Sequence, residues 1–104
     1  MAKINYTLLN TNDNVIVYME KIRFDAHNDK ITTNPLNTFY GQMMKHGTML
    51  IFAAIKDGLP VGGAYVSNLE HAIHIEHVFV KPELQNSEYH IGSSLIKFVI
   101  SCRK

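Results

Sequence analysis

The sequence predicts an α+β domain with the element order β-α-α-β-β-β-α. "TMLIFAAI" (48–55), "VGGAYVSN" (61–68) and "IHIEHVFV" (73–80) are consecutive β-rich runs separated by turn signals, so they read as a meander. Two segments before the meander and one after it carry apolar residues at helical spacing. The chain has 104 residues, 46% of them hydrophobic and 18% charged, which fits one globular domain spanning 1–104 with no composition shift to mark a linker.

The elements follow in order. "KINYTLL" (3–9) alternates apolar and polar residues and reads as a strand. "NTND" offers N-caps before "VIVYMEKIRFDAH" (15–27), where Val15, Met19 and Ile22 keep helical spacing. "NDKITTN" is a loop. Pro35 suits the first turn of a second helix, "PLNTFYGQMMKH" (35–46), with Leu36, Phe39, Tyr40 and Met43 at helical spacing; Phe39, Tyr40, Met43 and Met44 either pack in the core or wall an acceptor pocket. "HG" (46–47) stops that helix. In "KDGLP" (56–60), Asp57 and Gly58 supply the positive-φ positions of a hairpin turn. Gly62-Gly63 marks either a bulge or a close approach of some partner or ligand to the backbone. A second turn falls near "NLEHA" (68–72). The last helix runs from about His90 to Lys104 and buries Ile91, Leu95, Phe98 and Val99.

Bulk properties exclude several classes. The net charge is +1 with no run of Lys or Arg, which gives no long-range pull on nucleic acid or an anionic membrane. The longest apolar run, "MLIFAAI" (49–55), is far shorter than the ~20 residues that span a bilayer. "MAKINYTLLN" has no apolar h-region of a secretory signal. The lone Cys102 cannot close an internal disulfide, which suggests a reducing, cytoplasmic setting; it reads as a helix residue packed on the sheet, with a nucleophile as the alternative. His71, His74 and His77 form H-x-x-H-x-x-H, which on one helical face could bind zinc. In a strand alternate residues diverge, so ordinary strand histidines and no metal are expected.

"VFVKPELQNSEYHIGSSLIKFV" (78–99) is a strand, an uncharged polar loop and a helix. A helix N-terminus leaves N–H groups without partners and carries partial positive charge, so an anion fits there. Asn86, Ser87, Gly92, Ser93 and Ser94 would let phosphate oxygens reach the backbone. The plainer alternative is a connector that caps a helix.

On these residues the chain resembles the GNAT superfamily of N-acetyltransferases. Val80-Lys81-Pro82 matches that family's strand ending, Gln85 the Gln/Arg that opens its loop, Gly92 the loop's last small residue, and Leu95-Ile96 the helix hydrophobics. "IKDGLPVGGAYV" looks like the family's hairpin. The loop is two residues longer than the common pattern, and His90 sits where a Gly is usual. The resemblance implies a GNAT-like mixed sheet and binding of acetyl-CoA. Val78, Phe79 and Val80 would face the pantetheine arm. Gln85, Asn86, Ser87, His90, Ile91, Gly92, Ser93 and Ser94 would hold the pyrophosphate. It also implies a C-terminally short fold, since the family's later strands and fourth helix have no counterpart. The open edge of the fourth strand would then favour a homodimer.

Acetyl transfer to an amine needs a base for the amine proton. The resemblance places it near the fourth strand, where Glu76 is the first candidate and His74 the second. Simple alternation puts those two on one face and His77 on the other. Their plain alternative is a set of solvated polar residues. The expected function is acetyl-CoA-dependent N-acetylation of a small-molecule or peptide amine by direct transfer. The alternative is a truncated, non-catalytic CoA-binding or dimerisation module.

Overall fold

The structure, a computed structural model, describes residues 3–69 and 72–102. Four strands, β1 (Ile4–Leu9), β2 (Met49–Lys56), β3 (Leu59–Leu69) and β4 (Ala72–Val80), form one sheet in the order β1-β2-β3-β4. All three pairings are antiparallel. The helices are α1 (Asp13–Ala26), α2 (Phe39–Lys45) and α3 (Ile91–Cys102), with 3-10 turns at Pro35–Asn37 and Pro82–Leu84. The element order is the expected one. The second turn expected near 68–72 falls partly on Glu70 and His71, which lie outside the described residues.

Local chemistry sets the helix ends. The Asn12 side chain accepts from Val15 N–H and caps α1. At its other end Asn28 (φ 53) donates to Asp25 O, and Asp29 N–H donates to Phe24 O, a Schellman closure with Asn in the left-handed position. Gly47 (φ 77) closes α2 the same way, through its bond to Met44 O and that of Thr48 to Met43 O.

The second helix starts later than the sequence suggests. Pro35 opens only a 3-10 turn, and the extended Thr38 (φ −70, ψ 164) resets the phase before its side chain caps α2 at Gly41 N–H. Leu36 and Phe39 therefore share no helical face: Gly41 and Met44 are buried, and Phe39 is 74% exposed.

The sheet is covered on both faces. Ile16, Met19 and Ile22 of α1 and Met44 of α2 pack with Ile51, Tyr65 and Phe79 on one face. Ile91, Leu95 and Val99 of α3 pack with Phe52, Ala54, Ala64 and Val66 on the other. Phe98 is only half buried, and Cys102 is exposed rather than packed on the sheet, because α3 turns that position away at its last turn.

Asp57 (φ 53) and Gly58 (φ 82) form the two-residue hairpin turn. The bulge reading of the glycine pair holds, one residue away. A register shift pairs Ala54 with Gly62 and Ile55 with Pro60, so Val61 is the bulged residue beside the pair. The close approach is made by the chain itself. A Cβ on Gly63 would lie 2.5 Å from Met19 Cε, and one on Gly62 would lie 2.8 Å from Phe79 O.

Candidate functional site

The 85–94 loop leaves β4 and feeds α3. Asn86 (φ 57) and His90 (φ 50) both adopt the left-handed region, a conformation that favours glycine and tolerates asparagine. His90 caps α3: its carbonyl accepts from Ser94 N–H at 3.0 Å and Ser93 Oγ at 3.2 Å. Among the described residues, the N–H groups of Ile91, Gly92 and Ser93 bond no acceptor of the chain. They open on a surface cavity of about 360 Å³ lined by Val80, Leu84, Gln85, Asn86, Ser87, His90, Ile91, Gly92 and Ser93. A Cβ on Gly92 would meet nothing within 4 Å, so the fold itself does not require glycine there. Three unbonded donors beside an open glycine suit a phosphate group.

The structure thus brings together eight of the eleven residues expected to hold a cofactor and adds Leu84. Ser94 is spent on the first helical rung. Val78 and Phe79 lie deeper along β4. Lys81 N–H donates to Val61 O, so antiparallel alternation turns the backbone groups of Val78 and Val80 to the open edge and those of Phe79 toward β3. The Phe79 side chain is buried in the α1-side core. Gln85 acts as a strut: its amide donates to Ala26 O at 3.0 Å and Val80 O at 2.9 Å, and its backbone N–H to Pro82 O.

The candidate bases sit at a bulge. Tyr65 pairs with His77 and Val66 with Ile75, which leaves Glu76 as an extra residue on β4. The bulge reverses the side-chain parity. Ile73 and Ile75 pack on the α3 face, as do Val78 and Val80. His77 and Phe79 then fall on the α1 face together with Glu76 and His74. Placing His77 opposite Glu76 by simple alternation is therefore incorrect. Glu76 accepts from Ser67 Oγ at 2.6 Å, and His74 Nε2 lies 3.7 Å from Glu76 Oε2. The Glu76 side chain is 26% exposed, within reach of solvent or a substrate. Among the described residues no three His, Cys, Asp or Glu side chains converge on a metal position; His71 lies outside them.

No protein-family model matches the chain, and no curated protein matches it. Among solved structures it is similar to an aminoglycoside acetyltransferase from an uncultured soil metagenomic sample, with a TM-score of 0.73 and 19% identity. The match covers 95% of this chain and 70% of that one. The chain has a GNAT-like fold.

The GNAT-like domain also holds a polar core on the α1 face that the sequence reading did not name. Glu20 is fully buried and accepts four hydrogen bonds. Arg23 Nε (2.7 Å) and Tyr65 Oη (2.6 Å) bond Oε2; Arg23 Nη2 (2.8 Å) and Thr38 Oγ1 (2.5 Å) bond Oε1. Burial alone would raise the Glu20 pKa. The bonds from Arg23, Thr38 and Tyr65 and the Arg23 charge outweigh it and hold the carboxyl below its ordinary range. Burial, and then the Glu20 charge, push the Tyr65 phenol well up. The guanidinium of Arg23 also lies 4.8 Å from the centre of the Tyr40 ring. Beyond Tyr40, His77 Nε2 stands 2.7 Å from His27 Nε2. The legible signal was a charged pair inside an apolar stripe: Ile16, Met19, Glu20 and Arg23 follow i, i+3, i+4, i+7 spacing.

Proposed function

We propose that the chain is an acetyl-CoA-dependent N-acetyltransferase acting on a small-molecule or peptide amine. The observation that carries this reading is the set of three unbonded N–H groups at the start of α3, opening on the cavity beside the free edge of β4. The N–H groups of Ile91, Gly92 and Ser93 would hold the pyrophosphate, and the edge groups of Val78 together with the N–H of Val80 the pantetheine arm. Gln85 positions the loop from behind. Acetyl-CoA supplies an activated acyl group as a thioester. Glu76 takes the amine proton, directly or through one water, so that the nitrogen lone pair can attack the thioester carbonyl; the C–N bond forms, the C–S bond breaks, and CoA leaves as the thiol with the proton given up by the amine. Ser67 fixes the carboxylate through its Oγ hydrogen bond. A cytoplasmic setting agrees with the single exposed cysteine.

The open edge of β4 favours a second reading, a CoA-binding or dimerisation module without turnover, with two copies pairing edge to edge. Thiol release from acetyl-CoA against a panel of amines separates the two. The enzyme reading expects turnover that Glu76→Gln lowers by about 10²–10⁴-fold. Absence of turnover with intact acetyl-CoA binding leaves the module.

A further inference from the structure

His27 and His77 are 50 residues apart, yet their Nε2 atoms meet at 2.7 Å. The Schellman closure of α1 fixes His27 as its C-cap, and the β4 bulge turns His77 onto the same face. A hydrogen bond between two imidazoles needs one Nε2–H donor and one bare Nε2 acceptor, so it cannot survive when both rings are protonated. Ala26, next to His27, gives its carbonyl to Gln85, whose amide also bonds Val80 O. The last turn of α1 is thus tied to β4 at His77 and to the cavity loop through Gln85.

His27 is exposed to solvent, whereas the surroundings of the half-buried His77 do not balance a charge on that ring. From α1, Arg23 and Glu20 face His77; from α2, the Tyr40 ring lies at 5.8 Å; from β3 comes Tyr65; from β4, the Phe79 ring stacks at 6.0 Å. Glu20, the one carboxylate among them, is already engaged by Arg23, Thr38 and Tyr65. On β4 itself, the adjacent Glu76 is engaged by Ser67, with His74 beside it.

We propose that His27 and His77 form a proton-operated clasp that holds the C-terminus of α1 against β4, steadies the α3 loop through Ala26 and Gln85, and opens when both rings are charged. Burial, and then the His27 and Arg23 charges, depress His77 from its ordinary value. The sign follows: a depressed folded value contributes stability that is full above the ordinary imidazole value of about 6.5 and is lost as pH falls through the folded value. The clasp stands on geometry alone, whereas its effect on acetyl-CoA rests on the function proposed above.

Side-chain ¹H–¹⁵N spectra of the histidines between pH 8 and 5 test it. At pH 8 the clasp requires opposite tautomers, one ring protonated on Nε2 and the other on Nδ1, with His77 titrating below the ordinary value. His27→Gln keeps a neutral hydrogen-bond partner and removes the charge. His77 should then titrate nearer the ordinary value, and the fall in melting temperature between pH 7.5 and 5.5 should shrink. Identical tautomers with midpoints unmoved by His27→Gln would overturn the clasp. In parallel, acetyl-CoA affinity should fall several-fold over that pH range in the native chain and less in His27→Gln. Equal pH profiles would overturn the link to the loop. Opposite tautomers without acetyl-CoA binding at any pH would support the clasp and sink the binding reading alone.

Discussion

Replacing Glu20 with Gln probes the buried polar core at its centre. The carboxylate takes two bonds from Arg23 and one each from Thr38 and Tyr65, with its side chain fully buried and that of Arg23 15% exposed. Glutamine turns one acceptor oxygen into an NH₂ group. The hydroxyl on that side, Thr38 or Tyr65, can rotate to accept from it. The Arg23 bond on that side is lost, and the remaining bonds become neutral-acceptor bonds. A charge-assisted bond contributes about 1.5–3 kcal/mol and a neutral one about 1, so the loss sums to roughly 3 kcal/mol. That agrees with the ~3–5 kcal/mol cost of breaking a buried pair, reduced because Arg23 reaches water. For a domain of this size it lowers Tm by roughly 12–24 °C. Urea unfolding at pH 7 measures it directly. The native carboxyl is held below its ordinary value, so its contribution is present above about pH 4.3 and lost as pH falls through the folded value. The two proteins should therefore converge in acid. A difference under about 1 kcal/mol at pH 7, or one that grows in acid, refutes the reasoning.

Other outcomes follow from single contacts. Gly63→Ala drives a Cβ against Met19 Cε and Phe79 Cζ, and should destabilise by about 1–3 kcal/mol in the same urea assay. Gly92→Ala, with open space around it, should unfold within about 1 kcal/mol of the native chain yet bind acetyl-CoA more weakly, read by calorimetry. Gln85→Ala removes two side-chain bonds of about 1 kcal/mol each, and should raise proteolytic cleavage between 85 and 90 before any global unfolding.

What the sequence showed was mostly local. The Asp57-Gly58 turn, the stop at Gly47 and the α3 stripe of Ile91, Leu95 and Val99 each depend on residues close in the chain. So does the loop at the mouth of α3. What it hid depends on pairing between distant segments. The β4 bulge is a register event between β3 and β4, and nothing in "HIEHV" announces it; it moved His77 to the face of Glu76. Pro35 was compatible with an α-helix, but the Asn34 and Thr38 side-chain caps divided the segment and left Phe39 in solvent. Glu20 was hidden because its partners come from three elements, one of them Tyr65, 45 residues away. Gln85 occupied the expected place in the loop, but its amide turned inward to Ala26 rather than toward the cavity.

The central claim is that the N-terminus of α3 and its loop receive acetyl-CoA. Calorimetric titration of acetyl-CoA into the 104-residue chain tests it most directly. The account predicts saturable binding at one site, weakened by Gly92→Val without loss of fold. No heat at high ligand concentration, or an affinity unchanged by Gly92→Val, would contradict it.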